Sequence, residues 1–206
     1  MSSKLDVVLG LQWGDEGKGR IVDYLAQKAD MVIRFQGGDN AGHTVVTGGK
    51  AYPLRLMPSG IMYPGTICII GTGVVVDPKS LLDEMKRLED QGIDARHLQI
   101  STRAQVVFPY HIRLDEAEES RKGSRKIGTT KNGIGPCYAD KINRIGIRIC
   151  DLMDKETFAE KLKYNVDQKN MLLEKLYGVK GFDYDQMLAD YLGYAEKLRP
   201  YVQDTN

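Results

Sequence analysis

Three things are scarce in this sequence. Charge of one sign is the first: 28 % of the 206 residues are charged, yet they cancel to a formal net charge of +1. No basic surplus therefore points to nucleic acid. Long apolar runs are the second. No stretch approaches the roughly 18 apolar residues of a membrane span. The opening Met1-Ser2-Ser3-Lys4-Leu5-Asp6 also lacks the apolar segment of a secretory signal. A soluble, cytoplasmic protein with no membrane partner is expected. Paired cysteine is the third. Cys68, Cys137 and Cys150 form no C-x-x-C motif and leave an odd count, which reads as reduced thiols rather than a disulfide framework. Repeats and low-complexity tracts are lacking as well, and the length suits one good core, or one domain with an appendage.

What is present is organised around Gly14-Asp15-Glu16-Gly17-Lys18-Gly19. The apolar run Val7-Val8-Leu9 before it reads as a strand, and Ile21-Val22-Asp23-Tyr24-Leu25 after it as a helix. Strand, glycine-rich turn and helix aim backbone N–H groups and a helix N-terminus at an anion, and Lys18 adds a point charge there. The match to the P-loop pattern is partial. Gln12 stands in place of the first glycine, and Gly19 replaces the hydroxyl residue that would hold magnesium. Asp15 is the obvious substitute metal ligand. The competing reading is plain turn and capping chemistry, which Gly and Asp also serve.

A second buried strand, Met31-Val32-Ile33-Arg34-Phe35, runs into a second glycine-rich loop, Gln36 to Thr44. Parallel strands in a βαβ unit would deliver both loops to one carboxyl edge of the sheet, where such sheets bind ligands. Asp15 and His43 then fall within reach of each other. Gly48-Gly49-Lys50 predicts a hairpin. Thr66 to Ile70 predicts a strand ending at Gly71-Thr72-Gly73, with Val74-Val75-Val76 beyond it. Asp77-Pro78 opens a helix with Leu81, Leu82, Met85 and Leu88 on its apolar face. Leu98 to Ser101 and Val106 to Phe108 read as short strands. Residues 111–123 form a charged helix with a large solvated face. A third glycine-bearing loop, Ile127 to Pro136, precedes basic Lys141, Arg144 and Arg148. Amphipathic helices over about 155–177 and 183–199 follow, with Phe158, Leu162, Leu172, Leu173 and Leu176 as core candidates, and no finishing strand. The fold class is α/β, P-loop-like and three-layered with a mostly parallel central sheet. Residues 1–108 form a partial nucleotide-binding core, and residues 109–206 a mainly helical segment.

Gln12-Trp13-Gly14-Asp15-Glu16-Gly17-Lys18-Gly19, Gly37 to Thr44 and Ile127-Gly128-Thr129-Thr130 through Pro136 now stand together with Pro58-Ser59-Gly60-Ile61 and Gly71 to Val75. In order and spacing they closely resemble the adenylosuccinate synthetase family. Asp39 departs from it, at a position where relatives vary, and sets an extra carboxylate near phosphates. The resemblance covers only the first half of the family's chain. It implies an incomplete domain without the guanine-recognising segment and without the arginine-rich loop for aspartate.

The resemblance implies a ligase of purine (AMP) biosynthesis that joins IMP to L-aspartate using GTP and one Mg²⁺ ion, and that works as a homodimer. It implies that Asp15 is the catalytic base and a metal ligand, and that His43 donates a hydrogen bond to the transferring group. Gly14, Asp15, Glu16, Gly17, Lys18, Gly19 and Arg20, with Gly42, His43 and Thr44, would bind GTP. Asp15, Glu16, Gly17, Lys18, Asn40, Ala41, Gly42, His43, Thr129 and Thr130 would bind IMP. Arg144 would reach the IMP of the neighbouring subunit. Magnesium would be held by Asp15 and the Gly42 carbonyl. His97 and His111 read as surface or packing residues. The alternatives are a GTPase switch module and a non-catalytic fragment.

Overall fold

The computed structural model describes residues 4–12, 17–40, 42–47, 49–122 and 128–205. Its spine is a ten-residue strand, β4 (Ile67–Val76), with no charged side chain and seven of its residues buried. A strand covered on both faces needs such a continuous apolar run. β1 (Met31–Gly37) lies along one side of it, β5 (Leu98–Ser101) along the first half of the other, and β6 (Gln105–Val106) along the second half. β7 (Val202–Gln203) adds to the far side of β5, and all these pairings are parallel. β2 (His43–Thr47) and β3 (Lys50–Leu54) form a separate antiparallel hairpin, as Gly48-Gly49 predicts.

The glycines do not end β4, as the sequence suggests. The β1–β4 register shifts between Arg34 and Gln36, and there the two backbones press together. A Cβ on Gly71 would sit 3.1 Å from the Arg34 carbonyl oxygen, and one on Gly73 only 2.2 Å from that of Phe35. Glycine keeps the strand continuous through a bulge that no side chain would tolerate.

Helices cover the sheet. α1 is Lys18–Ala26, and α2 (Pro78–Glu89) begins as the sequence predicts, with Asp77 accepting the N–H groups of Lys79 and Ser80 at 2.9 and 3.2 Å. α3 (Pro109–Arg121), α4 (Ile134–Ile142), α5 (Ile149–Met153), α6 (Lys155–Met171) and α7 (Tyr184–Leu198) follow. One apolar core links the hairpin and sheet to the late helices, from Val45 through Ile70 and Leu81 to Phe158, Leu162 and Leu198. Phe108 stacks on Tyr191 at 4.4 Å between ring centres, and the Tyr191 hydroxyl donates to the Val107 carbonyl at 2.9 Å.

Four further expectations need correction. Val7-Val8-Leu9 forms no strand, and Val7 and Leu9 are about two-thirds exposed, at 63 % and 60 %. Among the described residues β1 pairs only with β4, so the apolar run has neither a ladder nor a covered face to join. The expected βαβ unit is therefore not assembled at its first strand. The solvated face of α3 is interrupted, since His111, Asp115 and Glu119 are buried. Leu172 and Leu176 are exposed, because the end of the long helix widens into a π turn (Leu172–Leu176) that buries Leu173 alone. The chain does carry a finishing strand, β7: Ile100 and Ser101 of β5 leave an open edge that it fills.

Candidate functional site

Gly14, Asp15, Glu16 and Ala41 lie outside the described residues. The helix that their loop feeds begins at Lys18, capped by Gly17 in the left-handed region at φ 81°, a conformation that costs glycine nothing. As a glycine, Gly17 supplies no side-chain cap to its N–H groups. The N-terminus of a helix carries partial positive charge and is receptive to an anion.

His43 begins β2 and packs directly on the first turn of α1. A Cβ built on Gly19 would fall 2.6 Å from the His43 Cβ and 3.0 Å from its Cγ. The hydroxyl residue of the P-loop pattern is replaced by glycine because an imidazole occupies its space. His43 is half-buried, and its Nε2 lies 3.0 Å from Oγ of buried Ser59. Burial lowers its pKa, the nearby Arg34 lowers it further, and Asp23 opposes both only in part. At neutral pH the ring is therefore neutral and carries one N–H.

Arg34 fixes the loop between β1 and His43. Its guanidinium donates to the carbonyls of Gly38 and Arg55. Asp39 is engaged by its neighbours: its Oδ2 accepts the Ser80 hydroxyl at 2.6 Å, and Arg55 lies 3.6 Å from its Oδ1. The extra carboxylate is thus held by α2 and a cation. Asn40, Gly42 and Thr44 are exposed.

The third loop is pinned to the second. Asn132 donates its amide to the Asp39 carbonyl at 2.9 Å. The Tyr138 hydroxyl accepts the Gly37 N–H at 2.9 Å and donates to the Gly73 carbonyl at 2.6 Å, so α4 grips the carboxyl end of β1. Gly38 leaves room for this, since a Cβ there would meet Ile134 at 2.5 Å. Thr129 directs a buried Oγ1 that has no hydrogen-bond partner among the described residues, while Thr130 is exposed. A buried hydroxyl without a partner leaves hydrogen-bonding capacity for something else.

Arg144 stands apart. It follows α4 in the left-handed region at φ 63°, is exposed, and its guanidinium has no hydrogen-bond partner among the described residues. Of its basic neighbours, Lys141 lies over the Tyr138 ring, and the backbone N–H of Arg148 is held by Asp151. Of the two histidines read as surface or packing residues, His111 is fully packed. Three residues that hold the loop before His43 escaped the sequence reading, namely Arg34, Tyr138 and Asn132. Only Arg34 left a signal, as a lone charge inside an apolar strand.

For a metal ion, the described residues hold no group of three or more His, Cys, Asp or Glu side chains. Asp15 lies outside them. The Gly42 position is open, with nothing within 4 Å of a Cβ built there. The donor set of carboxylate and carbonyl is all oxygen, which fits a hard cation such as Mg²⁺.

Fold and site together define an α/β protein with a mostly parallel sheet, in which His43 packs on the first turn of α1 and the chain before it is bound by Asn132 and Tyr138. A sequence model of the family described as adenylosuccinate synthetase matches residues 7–206. The chain belongs to the adenylosuccinate synthetase family. The adenylosuccinate synthetase of Carboxydothermus hydrogenoformans is 60 % identical over 200 residues, covering 97 % of this chain and 47 % of that one. That of Heliobacterium modesticaldum is 61 % identical with the same coverage. Among solved structures, a fully ligated adenylosuccinate synthetase from Plasmodium falciparum superposes with a TM-score of 0.82 at 39 % identity, over 95 % of this chain and 45 % of that one. The chain thus spans about half the length of the curated relatives it matches.

Proposed function

We propose that this chain is the phosphate- and IMP-binding half of an adenylosuccinate synthetase, a GTP-dependent ligase joining IMP to L-aspartate in AMP biosynthesis in the cytoplasm. The contact of His43 with the first turn of α1 carries the reading. It seats an imidazole beside the phosphate loop, where a nucleotide-binding switch has no use for one.

The chemical difficulty lies at the 6-oxo group of IMP, which is both a poor leaving group and a poor nucleophile. Removal of the N1 proton builds charge on O6. O6 then attacks the γ-phosphate, and the amine of aspartate displaces the phosphorylated oxygen. In this reading Asp15 takes the N1 proton, a task a carboxylate performs once the purine is held against it. His43, neutral, donates a hydrogen bond to the charge developing on O6 or the phosphoryl oxygens. Lys18 and the N–H groups of residues 14–20 hold the β- and γ-phosphates. Asn40, Thr129 and Thr130 contact IMP, the Thr129 hydroxyl, without a partner among the described residues, being suited to it. Asp15 and the Gly42 carbonyl would hold Mg²⁺, which shares phosphate charge in a largely positional reaction. Arg144, exposed, reaches the 5′-phosphate of IMP in a second subunit of a homodimer, a bidentate task suited to arginine.

The test is an assay of the chain at full family length with IMP, GTP, Mg²⁺ and L-aspartate, each omitted in turn. Adenylosuccinate forming only when all four are present is the expected result. GDP release that ignores IMP would replace the ligase with a switch. The 206-residue chain alone is expected to bind without turning over.

A further inference from the structure

Outside the residues assigned above, a buried carboxylate fixes the chain segment that carries a hydroxyl to His43. Glu84 of α2 is 1 % exposed. Its carboxylate accepts the N–H groups of Arg55 and Leu56 at 2.7 and 2.8 Å, and that of Met57 at 3.4 Å from both oxygens. Three consecutive N–H groups converging on one buried carboxylate fix the path of the chain leaving β3. The guanidinium of Arg34 holds the Arg55 carbonyl from the other side. The chain then passes Pro58 into a fully buried 3-10 turn, Ser59–Met62. Gly60 seats that turn on the sheet, for a Cβ there would lie 2.8 Å from Val32 and 2.9 Å from Thr66. Ser59 therefore has little freedom, and its Oγ faces Nε2 of His43 at 3.0 Å.

The direction of that hydrogen bond follows from satisfaction of buried groups. Ser59 is 2 % exposed, and His43 is the sole hydrogen-bond partner of its hydroxyl among the described residues. If Nε2 were the donor, the hydroxyl proton would be buried with no acceptor, at a cost of about 1–3 kcal/mol. The serine therefore donates, and a neutral ring must then carry its own proton on the other nitrogen.

We infer that Ser59, set in place by Glu84, is a positioning residue that donates to Nε2 of His43 and so keeps the imidazole proton on Nδ1, as the one donor left for the reacting group. The inference deepens the reading of His43 as a hydrogen-bond donor and rests on it for its functional meaning, though not for the tautomer itself. Ser59 acts through the imidazole and touches no substrate.

The tautomer is directly observable. The 206-residue chain has three histidines, so long-range proton–nitrogen correlation on ¹⁵N-histidine-labelled protein, held at about pH 8 where a neutral ring is assured, resolves each ring. The signal lost in His43→Gln assigns the ring in question. A protonated Nδ1 and an unprotonated Nε2 are expected in the unsubstituted protein. Ser59→Ala is expected to shift the ring toward the Nε2-protonated form, and Ser59→Thr to restore it. Glu84→Gln is expected to give a mixture. An Nε2-protonated ring in the unsubstituted protein, or a ring unmoved by Ser59→Ala, overturns the inference. In the full-length enzyme, Ser59→Ala is expected to lower kcat at least tenfold with the KM values for GTP and IMP nearly unchanged; equal loss in kcat and KM would make Ser59 merely structural. A full-length protein without ligase activity would remove the proposed reaction and leave the tautomer standing, so the two failures are distinguishable.

Discussion

Gly19 and His43 stand so close that neither position is free to change without the other: a Cβ on Gly19 would lie 2.6 Å from the Cβ of His43. Alanine at position 19 should gain up to about 1 kcal/mol in helix propensity. The overlap falls on a Cβ rather than on a flexible tip, and overpacking of that kind costs roughly 1–3 kcal/mol. Gly19→Ala is therefore expected to lose stability in urea and to shift the His43 ring resonances. A variant as stable as the parent, with unshifted resonances, would show that the contact is not as drawn.

A second prediction concerns the buried trio that ties α3, α4 and α6 together. Asp140 accepts from His111 at 2.9 Å and from Lys169 at 2.5 Å, while Nδ1 of His111 accepts the Phe108 N–H at 3.0 Å. Asp140→Asn leaves Lys169 buried without a counter-charge, and breaking such a pair costs about 3–5 kcal/mol. Denaturant unfolding measures this, and a loss below about 1 kcal/mol would argue against a buried ion pair.

The same trio sets a pH dependence. Burial lowers the pKa of His111, the hydrogen bond and charge of Asp140 oppose this in part, and Lys169 adds to the lowering. An unfolded histidine takes up a proton near pH 6.5. Below that value the unfolded chain binds more protons than the folded one, so stability present above about pH 6.5 is lost as the pH falls through the folded pKa. Asp140 is shifted the same way: burial works to raise its pKa, but His111 and Lys169 outweigh it, so its share is lost at still lower pH. Urea midpoints should fall steadily from pH 7 to pH 5. A flat profile would contradict a neutral His111.

Gly73→Ala should be among the costliest single substitutions. The added Cβ would sit 2.2 Å from the Phe35 carbonyl oxygen, and backbone cannot yield as a side-chain tip can. A loss of at least about 2 kcal/mol is expected, whereas Gly135→Ala, with nothing within 4 Å, should change stability by less than about 1 kcal/mol. Comparing the two urea midpoints checks the β1–β4 bulge.

In the full-length protein, Asp15→Asn should abolish turnover and leave GTP binding largely intact, because an amide cannot accept the N1 proton. Arg144→Leu should weaken IMP binding more than GTP binding. Titration with each nucleotide measures both, and wild-type activity in the first variant, or unchanged IMP affinity in the second, would remove the corresponding role.

Much of this architecture was legible in the sequence, for physical reasons. Met31 to Phe35, Asp77-Pro78 and Gly48-Gly49 each carry a local signal, namely an apolar run, a cap with proline at the first turn, and a hairpin turn. What stayed illegible depends on partners far along the chain. Val7-Val8-Leu9 reads as a strand, yet a strand requires a neighbour, and β1 offers it none among the described residues. Gly71 and Gly73 read as a strand end because the bulge they accommodate lies in β1. In the site, the glycine-rich loops announced themselves, whereas Tyr138 and Asn132 join them through bonds spanning 101 and 93 positions. Asp39, read as an extra carboxylate near phosphates, is engaged by Ser80 and Arg55, which only the packing of α2 could decide.

The most direct test of the proposed chemistry uses IMP carrying ¹⁸O at its 6-oxo position, supplied with GTP, Mg²⁺ and L-aspartate to the full-length protein. Attack of O6 on the γ-phosphate places the label in the released phosphate, and one labelled oxygen per phosphate is the predicted result. Unlabelled phosphate, its fourth oxygen drawn from water, would contradict the ligase and leave these loops with GTP hydrolysis alone.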